Sequence, residues 1–101
     1  MATYVFSYRS ATGDTAPENS LEQWMGFFGG IGDGVVNIGN PVGAHSSVGK
    51  VDGSTELSGF SLIEAPDLET AVALTKGCPV LARGGGVEVG ELIPVPEHMP
   101  A

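Results

Sequence analysis

The chain of 101 residues has one cysteine and two histidines, and this scarcity excludes several kinds of site. Cys78 has no second cysteine with which to form a disulfide, and it cannot build a cysteine-rich metal site. His45 and His98 lie far apart, with no carboxylate at ligand spacing, and this pattern argues against a metal site. We therefore expect neither a metal nor another cofactor.

Basic residues are also scarce. Four Lys and Arg stand against twelve Asp and Glu, giving a net charge of −8, and they are scattered at Arg9, Lys50, Lys76 and Arg83. Nucleic acids and anionic membranes are bound by clustered basic side chains, so neither is an expected partner. The chain also lacks an apolar run of about 18 residues and a signal-like start, so we expect a cytoplasmic protein.

The residues that are present predict alternating strands and helices. Aromatic and β-branched residues favour a strand over residues 3–8. Further strands are predicted for residues 35–38, 45–51, 59–65 and 87–93. Asp52-Gly53, which follows the strand predicted at residues 45–51, is a common hairpin-turn pair. The sequence therefore provides five predicted strands.

Two amphipathic helices are predicted between these strands. Pro17 is expected to begin the first helix, and Pro66 with Asp67 is expected to begin the second. Gly77 is expected to end the second helix in a left-handed conformation. Helical spacing assigns Leu21, Trp24, Met25 and Phe28 to the inner face of the first helix, and Leu68, Ala71, Val72 and Thr75 to that of the second. Trp24 is expected in the core, with stacking on an aromatic ligand as the alternative.

The order β-α-β-β-β-α-β predicts a single α+β domain over residues 1–96, followed by a flexible tail at residues 97–101. Two helices separated by strands on an antiparallel sheet suggest a ferredoxin-like layer with both helices on one sheet face. The opposite face then has nothing in the chain to cover it. A second copy is the economical cover, so we expect a homodimer.

The second half of the chain resembles the YCII-related, or DGPF-type, family in the order and spacing of its motifs. The similarity runs over residues 58–71, over Lys76-Gly77-Cys78-Pro79-Val80-Leu81 and over Gly85-Gly86-Val87-Glu88-Val89. Tyr8-Arg9, the Trp24 helix and residues 32–36 match more loosely. The resemblance implies a dimeric α+β barrel in which two sheets pack face to face around a cleft.

The chain departs from this family at the catalytic residues proposed for some members. Those residues are a His-Asp pair resembling that of muconolactone isomerases. The first predicted helix has no histidine here, and Asp52-Gly53 is followed by Ser54-Thr55 instead of completing an Asp-Gly-Pro-Phe signature. The resemblance therefore implies the fold and the dimer, and it supplies no catalytic residues.

Polar residues at the predicted strand ends are the candidate pocket residues, because a barrel mouth would form there. They are Ser7, Tyr8, Arg9, Asn37 and His45. A neutral His45 facing the cleft is suited to act as a general base near pH 7, and the alternative is a loop or strand-edge histidine bonded to water or a hydroxyl. Carboxylates within apolar strands are further acid–base candidates, with solvated positions as their alternative: Glu64, Glu88 and Glu91.

Three functions remain open at this point. The first is a dimer that binds a small apolar or aromatic metabolite in the cleft between subunits. The second is a cofactor-free isomerase or lyase in which His45 or a strand glutamate transfers the proton. The third is a structural partner subunit without a ligand.

Overall fold

The computed structural model describes residues 1–95, which form a four-stranded antiparallel sheet and two helices. In chain order the elements are β1 (Ala2–Ala11), α1 (Ser20–Ile31), β2 (Val35–Asn37), β3 (Thr55–Ala65), α2 (Leu68–Leu74) and β4 (Gly86–Glu91). The strand order is β2-β3-β1-β4. This confirms the α+β class and is compatible with a ferredoxin-like fold. Residue 96, the expected tail at 97–101 and His98 lie outside the described residues.

Strand β1 lies in the middle of the sheet and carries the core. It pairs with β3 along its length and with β4 on its other side, so that Tyr4 is opposite Ile63 and Phe6 is opposite Ser61 and Val89. Side chains alternate between the two faces of a strand. Tyr4, Phe6 and Tyr8 therefore share one face, and each is at most 3% exposed. Burial of each ring contributes roughly 1.5–3 kcal/mol.

Both helices pack on this aromatic face of the sheet. Phe27 of α1 and Ala71 of α2 belong to the same buried cluster as Tyr4, Phe6 and Tyr8. The predicted inner face of α1 is wrong in part, because Leu21 and Met25 are 76% and 53% exposed. The face that packs on the core comprises Trp24, Phe27, Phe28 and Ile31. Neither helix in residues 1–95 has the length and apolar character needed to span a membrane.

Helix α1 also begins later than expected, at Ser20 rather than Pro17, and Asn19 precedes it without a side-chain cap. Helix α2 begins at Leu68, two residues after the predicted start at Pro66. Asp67 is its N-cap: the Asp67 carboxylate accepts a 2.7 Å hydrogen bond from the Thr70 N–H.

The inner face of α2 is narrower than predicted. Ala71 and Thr75 are buried, whereas Leu68 and Val72 are 50% and 45% exposed. The helix continues into two short 3₁₀ turns, Thr75–Gly77 and Pro79–Arg83. The predicted left-handed cap at Gly77 is wrong; the left-handed glycine here is Gly84, with φ of 80°. The 3₁₀ turn at Gly77 satisfies the end of the helix without a positive φ.

The strand predicted for residues 45–51 is absent, and residues 1–95 therefore form four strands in place of the five predicted. Part of the β3 edge that such a strand would use is occupied by residues 40–42, next to β2: Phe60 N–H donates to the Asn40 carbonyl, and Val42 N–H donates to the Ser58 carbonyl at 3.0 Å. Asp52-Gly53 therefore joins no hairpin. Instead, the Asp52 carboxylate accepts a hydrogen bond from Ser54 N–H at 2.9 Å.

Replacing Gly39 with alanine should destabilise the fold. Gly39 has φ of 74°, and a Cβ there would overlap the Phe60 carbonyl, so Gly39→Ala is expected to cost roughly 1–3 kcal/mol or more. Gly43 lies in the same segment with open space around its Cα, so Gly43→Ala should stay within about 0.5 kcal/mol of the parent. Urea unfolding of both variants measures the difference; equal midpoints would contradict the close approach of residues 39 and 60.

The Asp67 cap should make stability depend on acid pH. The hydrogen bonds from Thr70 lower the pKa of Asp67 below its ordinary value of 3.8. The folded state then binds this proton less readily than the unfolded state, so the contribution is complete well above pH 3.8 and is lost as the pH falls through the lower folded pKa. Asp67→Asn retains a capping oxygen that does not titrate. Urea unfolding at pH 7 and pH 3 should show a smaller loss for Asp67→Asn than for the parent, and an equal loss would refute this role.

Candidate functional site

A cavity of about 520 Å³ opens on the helix side of the sheet. It lies between α1, the end of β1, the start of β3, residues 38–41 and the turn Pro79–Arg83. We call it the Tyr8 cavity, because Tyr8 lines it from the central strand. Its volume falls within the range of small-molecule sites, roughly 300–1,000 Å³.

The wall formed by α1 is apolar and largely aromatic. Two pairs of side chains line it, and the members of each pair are one helical turn apart: Leu21 with Met25, and Trp24 with Phe28. The Trp24 ring packs edge-on against Tyr8, with 4.7 Å between the ring centroids. Ile38, Pro41 and Val80 add apolar surface from the other walls. Such a lining favours an apolar or aromatic ligand.

Two hydroxyl groups in this lining are buried without a hydrogen-bond partner among the described residues: Tyr8 Oη and Ser58 Oγ. The Tyr8 side chain is 3% exposed, and burial raises its pKa to about 12 although the nearby Ser61 hydroxyl acts in the opposite direction. Ser61 itself donates to the Ile38 carbonyl at 2.7 Å. An unsatisfied buried polar group costs roughly 1–3 kcal/mol, so these hydroxyls require an explanation.

A β-bulge places Ser58 beside Tyr8. The register of β1 and β3 shifts there: Tyr8 is opposite Gly59, and Arg9 is opposite Leu57, leaving Ser58 as the extra residue. Bulges redirect side chains in this way. Gly59 leaves space for the Tyr8 ring because it has no side chain. A Cβ at this position would lie 3.6 Å from that ring and 3.1 Å from the Asn40 carbonyl.

An ion pair lies at the rim of the cavity. The Arg83 guanidinium is 2.6 Å from the Asp14 carboxylate and also donates to the Thr15 carbonyl. These contacts join the loop after β1 to the turn Pro79–Arg83. A partly exposed pair of this kind contributes about 0–1 kcal/mol to stability. Its main effect on the site is electrostatic, because the two charges in the lining neutralise each other.

Of the five residues predicted to form a pocket, only Tyr8 lines this cavity. Ser7 and Arg9 alternate with Tyr8 and lie on the opposite sheet face. Arg9 donates two 2.9 Å hydrogen bonds to Thr55, one to the hydroxyl and one to the carbonyl. The exposed Asn37 accepts a hydrogen bond from Gly39 N–H at 2.9 Å, which shapes the chain after β2.

His45 lies away from the Tyr8 cavity, in the exposed segment between β2 and β3. Its Nδ1 is 2.9 Å from the Gly43 carbonyl, and its Nε2 is 3.5 Å from the Glu56 carboxylate. The strand glutamates considered as acids or bases are all exposed: Glu64, Glu88 and Glu91. Within residues 1–95, no three His, Cys, Asp or Glu side chains group as metal ligands would.

Cys78 is buried in the core next to the second 3₁₀ turn. Burial raises the pKa of its thiol to about 11, so the reactive thiolate is disfavoured at neutral pH. Cys78 is therefore the small buried apolar residue that its sequence position suggested.

The sequence reasoning missed Ser58, Leu21 and Met25 as site residues. Leu21 and Met25 had been assigned to the core because they share a helical face with Trp24 and Phe28. The sequence does indicate that some apolar residues of α1 stay exposed, because they cover a wider face than a short helix buries. Ser58 carried no such signal, because a bulge is a property of the pairing of two strands.

Comparison with known proteins gave no match to this chain, whether against family models, curated proteins or solved structures.

Proposed function

We propose that the protein binds a small, mainly apolar or aromatic molecule in the Tyr8 cavity. The observation that carries the proposal is the cavity of about 520 Å³, whose α1 wall is apolar and leaves Leu21 and Met25 exposed. A ligand that fills the cavity would remove the exposed surfaces of Leu21 and Met25 from water. The cavity lies within one chain, so the proposed site differs from the cleft between subunits expected from the sequence.

The lining supports binding more than proton transfer. His45 is not part of the lining, and the carboxylate in the lining, that of Asp14, is paired with Arg83. Tyr8 stays protonated at neutral pH because burial raises its pKa to about 12. A general base requires a group whose pKa lies near the working pH, and these residues do not supply one. An isomerase or lyase role would need His45 or a strand glutamate, and none of these residues lines the cavity.

We also propose that the protein is a homodimer formed through the sheet face opposite the helices. We call this the open sheet face; it carries Val5, Ser7 and Arg9 of β1 and Leu57, Phe60 and Leu62 of β3. Both helices pack on the other side. Leu57 and Phe60 are each 37% exposed, and Val5 and Leu62 are half-buried. The proposed dimer agrees with the resemblance to the YCII-related family, which stays a proposal as well.

The charges on the open sheet face suit a second copy of this chain. Arg9 lies near one end of β1, and Glu64 lies opposite Thr3 at the other end. A two-fold axis that crosses the strands would bring Arg9 of one protomer over Glu64 of its partner, twice in the dimer. Self-complementarity of this kind is what a two-fold interface requires. The acidic chain, with its net charge of −8, otherwise opposes self-association.

Binding can be measured with N-phenyl-1-naphthylamine, a neutral aromatic probe whose fluorescence rises in apolar surroundings. Trp24 is the single tryptophan of the chain and lines the cavity, so energy transfer from Trp24 reports occupancy. Met25→Glu places a charge in the apolar wall and should weaken binding about tenfold or more. Leu68→Glu is the matched control, because Leu68 is 50% exposed, against 53% for Met25, and does not line the cavity. Probe binding that is absent, or insensitive to Met25→Glu, would overturn the proposed site.

The homodimer predicts a mass of about 20.6 kDa, twice the 10.3 kDa of one chain. Leu62→Glu adds a charge in the middle of the open sheet face and should shift the protein to 10.3 kDa, because the charge would have to be desolvated in the interface. Leu68→Glu on α2 should leave the dimer intact. Sedimentation equilibrium at micromolar concentration measures these masses, and a monomeric parent protein would refute the dimer.

A further inference from the structure

We infer that the ion pair between Asp14 and Arg83 restricts the Tyr8 cavity to uncharged ligands, because each side chain cancels the attraction that the other would exert on an ion. This inference rests on the proposed function, because it names the charge class of the ligand at the same site. It makes Asp14 and Arg83 the residues that determine specificity, whereas the apolar walls provide the affinity.

The first argument is the number of charges in the lining. Asp14 and Arg83 are the two charged residues among the described residues that line the cavity. Both side chains are partly exposed, Asp14 at 27% and Arg83 at 23%, so an ion in the cavity would experience both charges. The other lining residues are apolar or carry neutral polar groups, as Ser20 and Asn40 do. The charge of the cavity is therefore set by this one pair.

The second argument is the distance between the two charges. The Arg83 guanidinium is 2.6 Å from the Asp14 carboxylate and also donates to the Thr15 carbonyl. An anion that reaches Arg83 therefore also lies beside Asp14, and a cation that reaches Asp14 also lies beside Arg83. Attraction and repulsion over similar distances largely cancel. An ion of either sign would lose its hydration in an apolar cavity without a compensating partner, whereas a neutral ligand avoids this cost.

The third argument concerns what remains when one member of the pair loses its charge. Asp14→Asn keeps the shape of the side chain and leaves the guanidinium of Arg83 without a charged partner, so it can bind a carboxylate. Arg83→Gln leaves the Asp14 carboxylate in the same position for a cation. Because the pair is partly exposed, it contributes little to stability, and both variants should fold. The specificity of the cavity is therefore expected to change sign with the residue that is replaced.

Three ligands of nearly equal shape test the inference on the intact protein at pH 7. Each has a naphthalene ring with one small planar substituent: 2-naphthamide is neutral, 2-naphthoate is an anion and 2-naphthamidine is a cation. Titrations are followed through the indole N–H resonance of Trp24, which is the single tryptophan and lines the cavity. The parent protein should bind the amide about tenfold or more tightly than either ion, because each ion has to be desolvated.

The variants assign the preference to the ion pair. Asp14→Asn should lower the Kd of 2-naphthoate about tenfold, and Arg83→Gln should lower that of 2-naphthamidine by a similar factor. The double variant Asp14→Asn/Arg83→Gln has neither charge and should keep the preference of the parent protein for the amide. It loses the same contact between the loop after β1 and the turn Pro79–Arg83 as the single variants do. The double variant therefore separates an effect of charge from an effect of loop position.

Two further variants control for the net charge of the chain. Asp33→Asn and Lys76→Gln alter the net charge by the same amounts as Asp14→Asn and Arg83→Gln, at exposed positions outside the cavity lining. Each should keep the ratios between the three Kd values of the parent protein.

The outcomes separate the inference from the proposed function. A parent protein that binds the amide no more tightly than the ions, or that does not bind the amide, would overturn the inference while N-phenyl-1-naphthylamine still reports an apolar site. Single variants that keep the Kd ratios of the parent protein would overturn it as well. Loss of all binding, including that of N-phenyl-1-naphthylamine, would overturn the proposed function itself. The comparison of the three ligands on the parent protein tests the inference even where a variant fails to fold.

Discussion

The contact of Tyr8 with Trp24 and Phe27 joins the central strand to the first helix, and the rest of the structure depends on it. The Tyr8 ring lies edge-on to both, at centroid distances of 4.7 and 6.4 Å. Edge-to-face pairs add about 0.5–1.5 kcal/mol beyond the area they bury. The same contact fixes which face of α1 points inward and places Leu21 and Met25 at the cavity. Core and site therefore share one aromatic cluster.

The cavity follows from the shapes that meet around this cluster. At its end of the sheet, β3 contributes Gly59 and the bulged Ser58 instead of two large side chains. Residues 40–42 then pair with β3, and residues 38–41 form another wall of the cavity. The bulky aromatic helix on one side and the small residues of the strand on the other leave a space that the chain does not fill. A bulge, a glycine and a row of aromatic rings suffice to form it.

The fold was more predictable from the sequence than the site. The alternation in Tyr4, Phe6 and Tyr8 and the presence of a helix after Pro66 depend on neighbouring residues, and local patterns reveal these. The absence of a strand at residues 45–51 depends on whether the edge of β3 is free, which is a property of the whole sheet. The predicted pocket residues are divided between the two sheet faces for a similar reason. Ser7, Tyr8 and Arg9 are adjacent in sequence, but alternation sends Tyr8 to one face and its two neighbours to the other.

The Tyr8 hydroxyl is the feature that the fold alone does not explain. A phenylalanine would make the same aromatic contacts with Trp24 and Phe27 and would leave no buried donor unsatisfied. A lone hydroxyl of this kind costs roughly 1–3 kcal/mol, a large part of the 5–15 kcal/mol by which small domains are stable. Local conflicts with folding rules concentrate at functional sites. Tyr8 also lines the apolar cavity, so this conflict with the folding rules lies at the wall of the proposed site.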